Sequence, residues 1–155
     1  MMKFKVAAVG AALTLLPGYA AALECTVGAT PVVFGLYNPI SGASVADNGT
    51  VSITCGKGPS ASYTISMTAG GGETYTPREM ASGANLLRYN LYTDAAYTKI
   101  WGDGTGGTFT VPGRMTIRPG PKAVTKQYPV YGLIPARQVA HTGSYTDTIT
   151  VMVSF

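Results

Sequence analysis

The sequence predicts an all-β domain folded as an antiparallel β-sandwich. Three observations carry this. Apolar and polar residues alternate with a period of two in several segments, the pattern of a strand with one buried face. Clusters of Gly, Pro, Asn, Asp and Ser separate these segments at short, regular spacing. No window carries an apolar stripe of helical period. Composition agrees: hydrophobic residues make up 46% of the 155-residue chain and charged residues only 12%, which excludes a disordered polymer.

The N-terminus sets the compartment. "MMKFK" supplies a basic n-region through Lys3 and Lys5, and "VAAVGAALTLLPGYA" is an apolar h-region interrupted by Pro17. Ala20–Ala22 form a small-residue cleavage site. This is the plan of a secretory signal peptide cut after Ala22. It divides the chain into a leader, residues 1–22, and one domain, residues 23–155. The apolar run is too short and too broken for a membrane anchor, and no other stretch approaches a span. No transmembrane segment is therefore expected after cleavage.

Removing 22 of the 155 residues leaves 133, and Lys3 and Lys5 leave with them. Nine basic residues then face seven acidic ones, a net charge of +2. The basic residues are scattered and no aromatic interleaving accompanies them, so nucleic acid is not an expected partner.

Within residues 23–155 the expected strands are Val32–Leu36, Thr50–Cys55, Ser62–Thr68, Asn85–Tyr92, Thr98–Trp101, Thr108–Val111, Arg114–Arg118, Tyr128–Ile134 and Ser144–Phe155. Val51, Ile53 and Cys55 alternate, as do Tyr63, Ile65 and Met67, and Leu87, Tyr89 and Leu91. "NPISGAS", "DNG", "AGGGE", "GDGTGG", "RPGPK" and "HTG" mark the turns between them. Cys25 and Cys55 are the only cysteines. An even count in an exported chain predicts a disulfide, and two cysteines allow one connectivity. Closing a loop of that length contributes roughly 3–4 kcal/mol through the denatured state. In the last segment, Ile149, Val151, Val153 and Phe155 alternate with Thr148, Thr150, Met152 and Ser154. A strand this apolar needs neighbours on both edges, yet no further strand follows it in the sequence.

Chemistry is sparse. The acids lie mostly in expected loops, and none is paired at a telling spacing. His141 is a lone loop histidine, and no G-x-S-x-G elbow is present. "GDGTGG" lacks the G-K-[ST] of a phosphate loop and precedes no helix. One histidine and no C-x-x-C give no metal-ligand set. Neither catalysis nor a cofactor is expected.

Seven stretches follow one another in order: "CTVG", "VVFGLYNP", "VSITC", "YTISMTAGG", "RYNLYTDAAYTKIWGDGTGGT", "VYGLIPARQ" and "GSYTDTITVMVSF". Together, from Cys25 to Phe155, they resemble the spore coat protein U domain family, which includes subunits of archaic chaperone–usher pili. The resemblance implies an immunoglobulin-like, pilin-type sandwich lacking its final strand, with a groove open beside the C-terminal strand. A periplasmic chaperone fills such a groove first, and another pilin subunit's N-terminal extension replaces it after passage to an outer-membrane usher. Ile149, Val151 and Val153 are then expected to face the groove or the core around it, with Phe155 at the groove's end. The implied role is a fibre subunit exported through the periplasm to the cell surface, serving attachment and biofilm. The alternative is a self-contained secreted sandwich that binds a carbohydrate or a surface.

One departure from the family pattern matters. A shaft pilin needs an alternating donor segment ahead of its first cysteine, but cleavage after Ala22 leaves only Leu23 and Glu24 there. The chain is expected to accept a strand and not to donate one, a property of a fibre tip. Met115 and Ile117, lying between basic and Pro/Gly residues in "VPGRMTIRPGPK", are the candidate adhesive loop.

Overall fold

The structure is a computed structural model that describes residues 2–8, 22–117 and 122–155. Nine strands occur among them: β1 (Lys3–Ala8), β2 (Glu24–Thr30), β3 (Val45–Lys57), β4 (Ala61–Met67), β5 (Arg78–Ser82), β6 (Asn85–Tyr92), β7 (Val111–Met115), β8 (Val124–Ile134) and β9 (Thr148–Ser154). There is no helix among the described residues. One sheet has the order β1-β9-β4-β7 and the other β2-β3-β8-β6-β5. Every pairing within these sheets is antiparallel except β1 with β9, which is parallel. The fold is the expected immunoglobulin-like, pilin-type β-sandwich.

The alternation explains the core. Val51, Ile53 and Cys55 of β3 face Tyr63, Ile65 and Met67 of β4 and Ile149, Val151 and Val153 of β9, with Leu87, Tyr89 and Leu91 of β6 alongside; all are buried. Period-2 patterning puts each set on one face of its sheet, and stacking the two faces removes both from water. Cys25 and Cys55 are cross-strand partners in β2 and β3 and are disulfide-bonded as expected.

Several elements depart from expectation. The first domain strand is β2, and Val32–Leu36 is not a strand. Val32 is fully buried, and Phe34 meets the Tyr89 ring edge-on at 6.0 Å between centroids. The segment runs along the surface and sends the Val32 and Phe34 side chains into the core. Its Val33 N–H donates to the Asp47 carboxylate at 2.9 Å instead of joining a ladder. This packing explains Gly132 of β8, where a Cβ would lie 2.6 Å from Val32 Cγ1. Thr98–Trp101 and the first part of the expected strand Thr108–Val111 shrink to two isolated bridges, Tyr92 with Ile100 and Trp101 with Phe109, while Val111 opens β7. The Asp103 carboxylate holds the turn between them by accepting from the Thr105 N–H (2.9 Å) and hydroxyl (2.7 Å). Strand β5 was not expected, because "REMAS" hides its alternation behind Arg78, which is itself buried. Residues 3–8, assigned to the leader, form an edge strand in the full-length chain.

Arg78 is fully buried and ties the sheets together. Its guanidinium donates to Asn90 Oδ1 (2.8 Å), to the Thr68 carbonyl (2.8 and 3.2 Å) and to the Trp101 carbonyl (2.7 Å). It also sits 5.0 Å from the Tyr75 ring centre. Burial pulls its pKa below the ordinary arginine value, and Tyr89, Tyr75 and Asp147 counter that pull. Nearby, Asp147 accepts from the Tyr89 hydroxyl and from the Gly71 N–H (2.8 Å). Gly70, at φ 84°, leaves room for that carboxylate.

Arg78→Met removes four donated hydrogen bonds and strands buried acceptors. It is expected to cost about 3 kcal/mol or more, read by urea unfolding. Thiol titration of the oxidised protein in denaturant is expected to find no free thiol; two free thiols would contradict the Cys25–Cys55 bond.

Candidate strand-acceptor site

The site follows from how β9 is covered. Ile149, Val151 and Val153 are 0%, 0% and 1% exposed and point into the sandwich. On one side, β9 pairs with β4 through Val153–Ile65 and Val151–Met67. On the other side lies β1, in continuous parallel register from Lys3–Thr148 to Ala8–Val153. The Lys3 N–H donates to the Asp147 carbonyl at 2.9 Å. Met2 is 1% exposed, and Phe4 packs against the core. The strand also touches β2, the first strand of the facing sheet. One edge strand therefore satisfies the β9 ladder and closes the seam between the sheets. Without an occupant here, β9 would present a row of unpaired N–H and C=O groups beside an open apolar interior.

Phe155 lies just past β9 and is 47% exposed. Its ring packs on Tyr63 at 5.5 Å between centroids, and Tyr63 meets Tyr128 of the opposite sheet edge-on at 6.3 Å. The two tyrosine hydroxyls share a 2.6 Å hydrogen bond. Burial raises the Tyr63 pKa and the bond to Tyr128 adds to the rise, so the hydroxyl stays neutral. Gly113 of β7 makes room for this stack, since a Cβ there would overlap the Tyr63 ring. Phe155 thus caps one end of the interior, beside a shallow basin flanked by Arg114 and Lys126.

The candidate adhesive pair is a correction. Met115 ends β7 and is fully buried, so it cannot contact a surface. Ile117 is half-buried against the core, and its N–H donates to Ser60 Oγ at 3.1 Å. Alternation along β7 turns Met115 inward, which the flanking basic residues obscured.

The exposed apolar surface lies elsewhere. Leu36, Ile40 and Val139 are 97%, 92% and 90% exposed on the loops that follow β2 and β8. Leu36 borders a cleft of about 560 Å³ that is floored by Met80, Leu87 and Ile134. No Asp, Glu, Lys or Arg lines it; His141 stands on its wall. The two loops are cross-tied. The Tyr37 hydroxyl donates to the Pro135 carbonyl (3.1 Å) and accepts from the Gln138 N–H (2.9 Å). Gln138 in turn bonds both backbone groups of Arg88. A sequence signal for this face existed: "VVFGLY" holds six residues without a charged or amide side chain, more than one buried face can hide.

The carboxylates serve local structure. Asp94 accepts from the Thr98 hydroxyl and from the Thr98 and Lys99 N–H groups, and the Thr98 hydroxyl chiefly holds its pKa low. Asp103 is held low mainly by the Thr105 hydroxyl. Among the described residues no three His, Cys, Asp or Glu side chains group to hold a metal. No helix among them is long and apolar enough to cross a membrane.

Val151→Asp places an unpaired carboxylate between β1, β4 and the core. It is expected to cost several kcal/mol, seen as loss of a cooperative urea transition. Leu36→Ser, on an exposed loop, is expected to stay within about 0.5 kcal/mol of the parent.

Comparison with known proteins places this geometry. The family model for the Spore Coat Protein U domain matches residues 11–152. A search of curated protein sequences found no match. Among solved structures, the chain is similar to the crystal structure of the CsuC–CsuE chaperone–tip adhesion subunit pre-assembly complex, from the archaic chaperone–usher Csu pili of Acinetobacter baumannii. The TM-score is 0.57 at 22% identity, covering 86% of this chain and 40% of that one. That is a likeness of fold, and the chain spans less than half of the matched one. With the family model covering most of the chain, the sandwich described above belongs to the Spore Coat Protein U domain family.

Proposed function

We propose that the chain is an exported subunit of an archaic chaperone–usher fibre, which accepts a donor strand beside β9. One observation carries this reading. The β9 edge is completed by a strand in parallel register whose residues belong to the leader segment, ahead of the domain that begins near Cys25. Cleavage after Ala22 removes that strand. The mature domain then needs another molecule's strand at the same place, first from a periplasmic chaperone and then from a neighbouring pilin. Delivery runs through an outer-membrane usher to the cell surface.

The same cleavage leaves only Leu23 and Glu24 ahead of Cys25. Two residues span about 7 Å, far short of the strand needed to fill a groove like that beside β9. The subunit accepts without donating and so stands at the fibre tip. The matched Acinetobacter complex contains a tip adhesion subunit, which supports this placement. Adhesion is served by Leu36, Ile40 and Val139, the most exposed large apolar residues described.

N-terminal sequencing of periplasmic protein is expected to read Leu23 first. Pull-down is expected to show one-to-one capture by the cognate chaperone, with little soluble protein in its absence. A mature start well upstream, or a stable free monomer, would favour the self-contained sandwich. Replacing Leu36, Ile40 and Val139 together by Ser is expected to reduce attachment to hydrophobic surfaces several-fold while leaving chaperone capture unchanged; unchanged attachment would remove these loops from the adhesive role.

A further inference from the structure

We propose that the uncharged cleft bordered by Leu36 binds a neutral aromatic ring that carries one hydrogen-bonding edge. This goes beyond the fibre reading and does not depend on it. The cleft holds about 560 Å³, within the roughly 300–1,000 Å³ of small-molecule sites. Its floor is built on strands. Met80 and Leu87 are cross-strand partners in β5 and β6, and Ile134 ends β8; all three are buried. Phe34, Tyr37 and Tyr145 line the sides. An apolar cleft in water gains by closing on itself, but ties hold both walls in place. On one side the Tyr37 hydroxyl links Pro135 to Gln138, and Gln138 bonds both backbone groups of Arg88. On the other, the Tyr145 hydroxyl accepts from the His141 N–H (3.2 Å) and donates to the His141 carbonyl (3.0 Å). Behind that wall Ala81 and Thr146 exchange two backbone hydrogen bonds of 3.0 Å. Gly143 stands so close to β5 that a Cβ would lie 2.5 Å from Ser82 Oγ. The site is therefore preorganised, which lowers the cost of filling it.

The lining selects the ligand. No Asp, Glu, Lys or Arg borders the cleft among the described residues, so an ionic ligand would leave water without a counter-charge. Met80, Leu87 and Ile134 offer no side-chain hydrogen-bond partner to a sugar, whose hydroxyls point outward all round. Met80 does suit an aromatic ring, because a thioether sulfur packs well at a ring edge. Both tyrosine hydroxyls are spent on the wall ties. Free polar side chains come from one stretch only, His141, Thr142 and Ser144, which are exposed and tied to no other described side chain. The matching ligand sets an apolar ring on the floor and turns a single donor or acceptor towards this stretch.

The test titrates indole into isotope-labelled protein recovered from the periplasm, together with its chaperone if one accompanies it. Saturable, one-to-one shifts are expected at the amides of Gly35 and Ala140–Tyr145. Shifts that never saturate, or that spread equally to Ile40 and Val139, would overturn the proposal. So would binding of methyl glucoside at these amides with none by indole. Ala140→Phe, which fills the cleft from its wall, is expected to weaken indole about tenfold or more; an unchanged affinity in the folded variant counts against the site. If that variant does not fold, the exposed polar stretch still decides. Replacing His141, Thr142 and Ser144 together by Ala is expected to weaken indole about fivefold, the loss of one hydrogen bond, and to leave naphthalene unaffected. No loss, or equal loss of both probes, would refute the polar-edge assignment. Ile40→Ser with Val139→Ser is expected to keep indole binding, since neither residue lines the cleft. Surface attachment and chaperone capture are read in separate assays, so the cleft and the fibre role can each fail alone.

Discussion

An apolar strand must have both of its edges covered, and this constraint on β9 organises the molecule. Ile149, Val151 and Val153 supply interior surface, but their backbone groups point sideways, to β4 on one flank and β1 on the other. The β4 pairing is internal to the domain and antiparallel. The β1 pairing is parallel and comes from the far end of the chain. Hydrogen-bonding groups beside a dry interior are expensive to leave unmade, so some strand must occupy that flank. Its identity is free to change, because backbone bonds carry little sequence information. Strand addition between chains in general rests on this kind of backbone pairing.

The rest of the sandwich holds β9 in place. The Cys25–Cys55 bond joins β2 to β3 directly across the ladder. Arg78 reaches from β5 to the carbonyls of Thr68 and Trp101, linking the edge of one sheet to the end of β4 in the other. Asp147, one residue before β9, is anchored by Tyr89 and Gly71. These contacts fix where β9 begins, and Phe155 stacked on Tyr63 fixes where it ends.

The two ends of β9 face different environments. The loop that runs into Thr148 helps wall the uncharged cleft, near the exposed Leu36. Seven residues later, β9 gives way to the Phe155–Tyr63–Tyr128 stack beside Arg114 and Lys126. Seven residues of strand separate these poles by roughly 20 Å. The exposed apolar loops and the aromatic end cap are therefore well separated along the strand.

The sequence by itself determined the fold class, the disulfide pair and the inward faces of β3, β4, β6 and β9. These depend on local alternation and on a cysteine count with one solution, and β6 was delimited at the same residues, Asn85–Tyr92. Alternation says which face is apolar, but it does not name the neighbour. Only the tertiary structure decided that Val32 and Phe34 turn into the core, that Met115 turns inward, and that Arg78 is buried among carbonyls. The same holds for β1. "MKFKV" alternates as clearly as any domain strand, yet its basic residues next to an apolar run also make a leader. Pattern cannot separate those uses, because strand pairing is a long-range choice, made by whichever edge is left unsatisfied when the core closes.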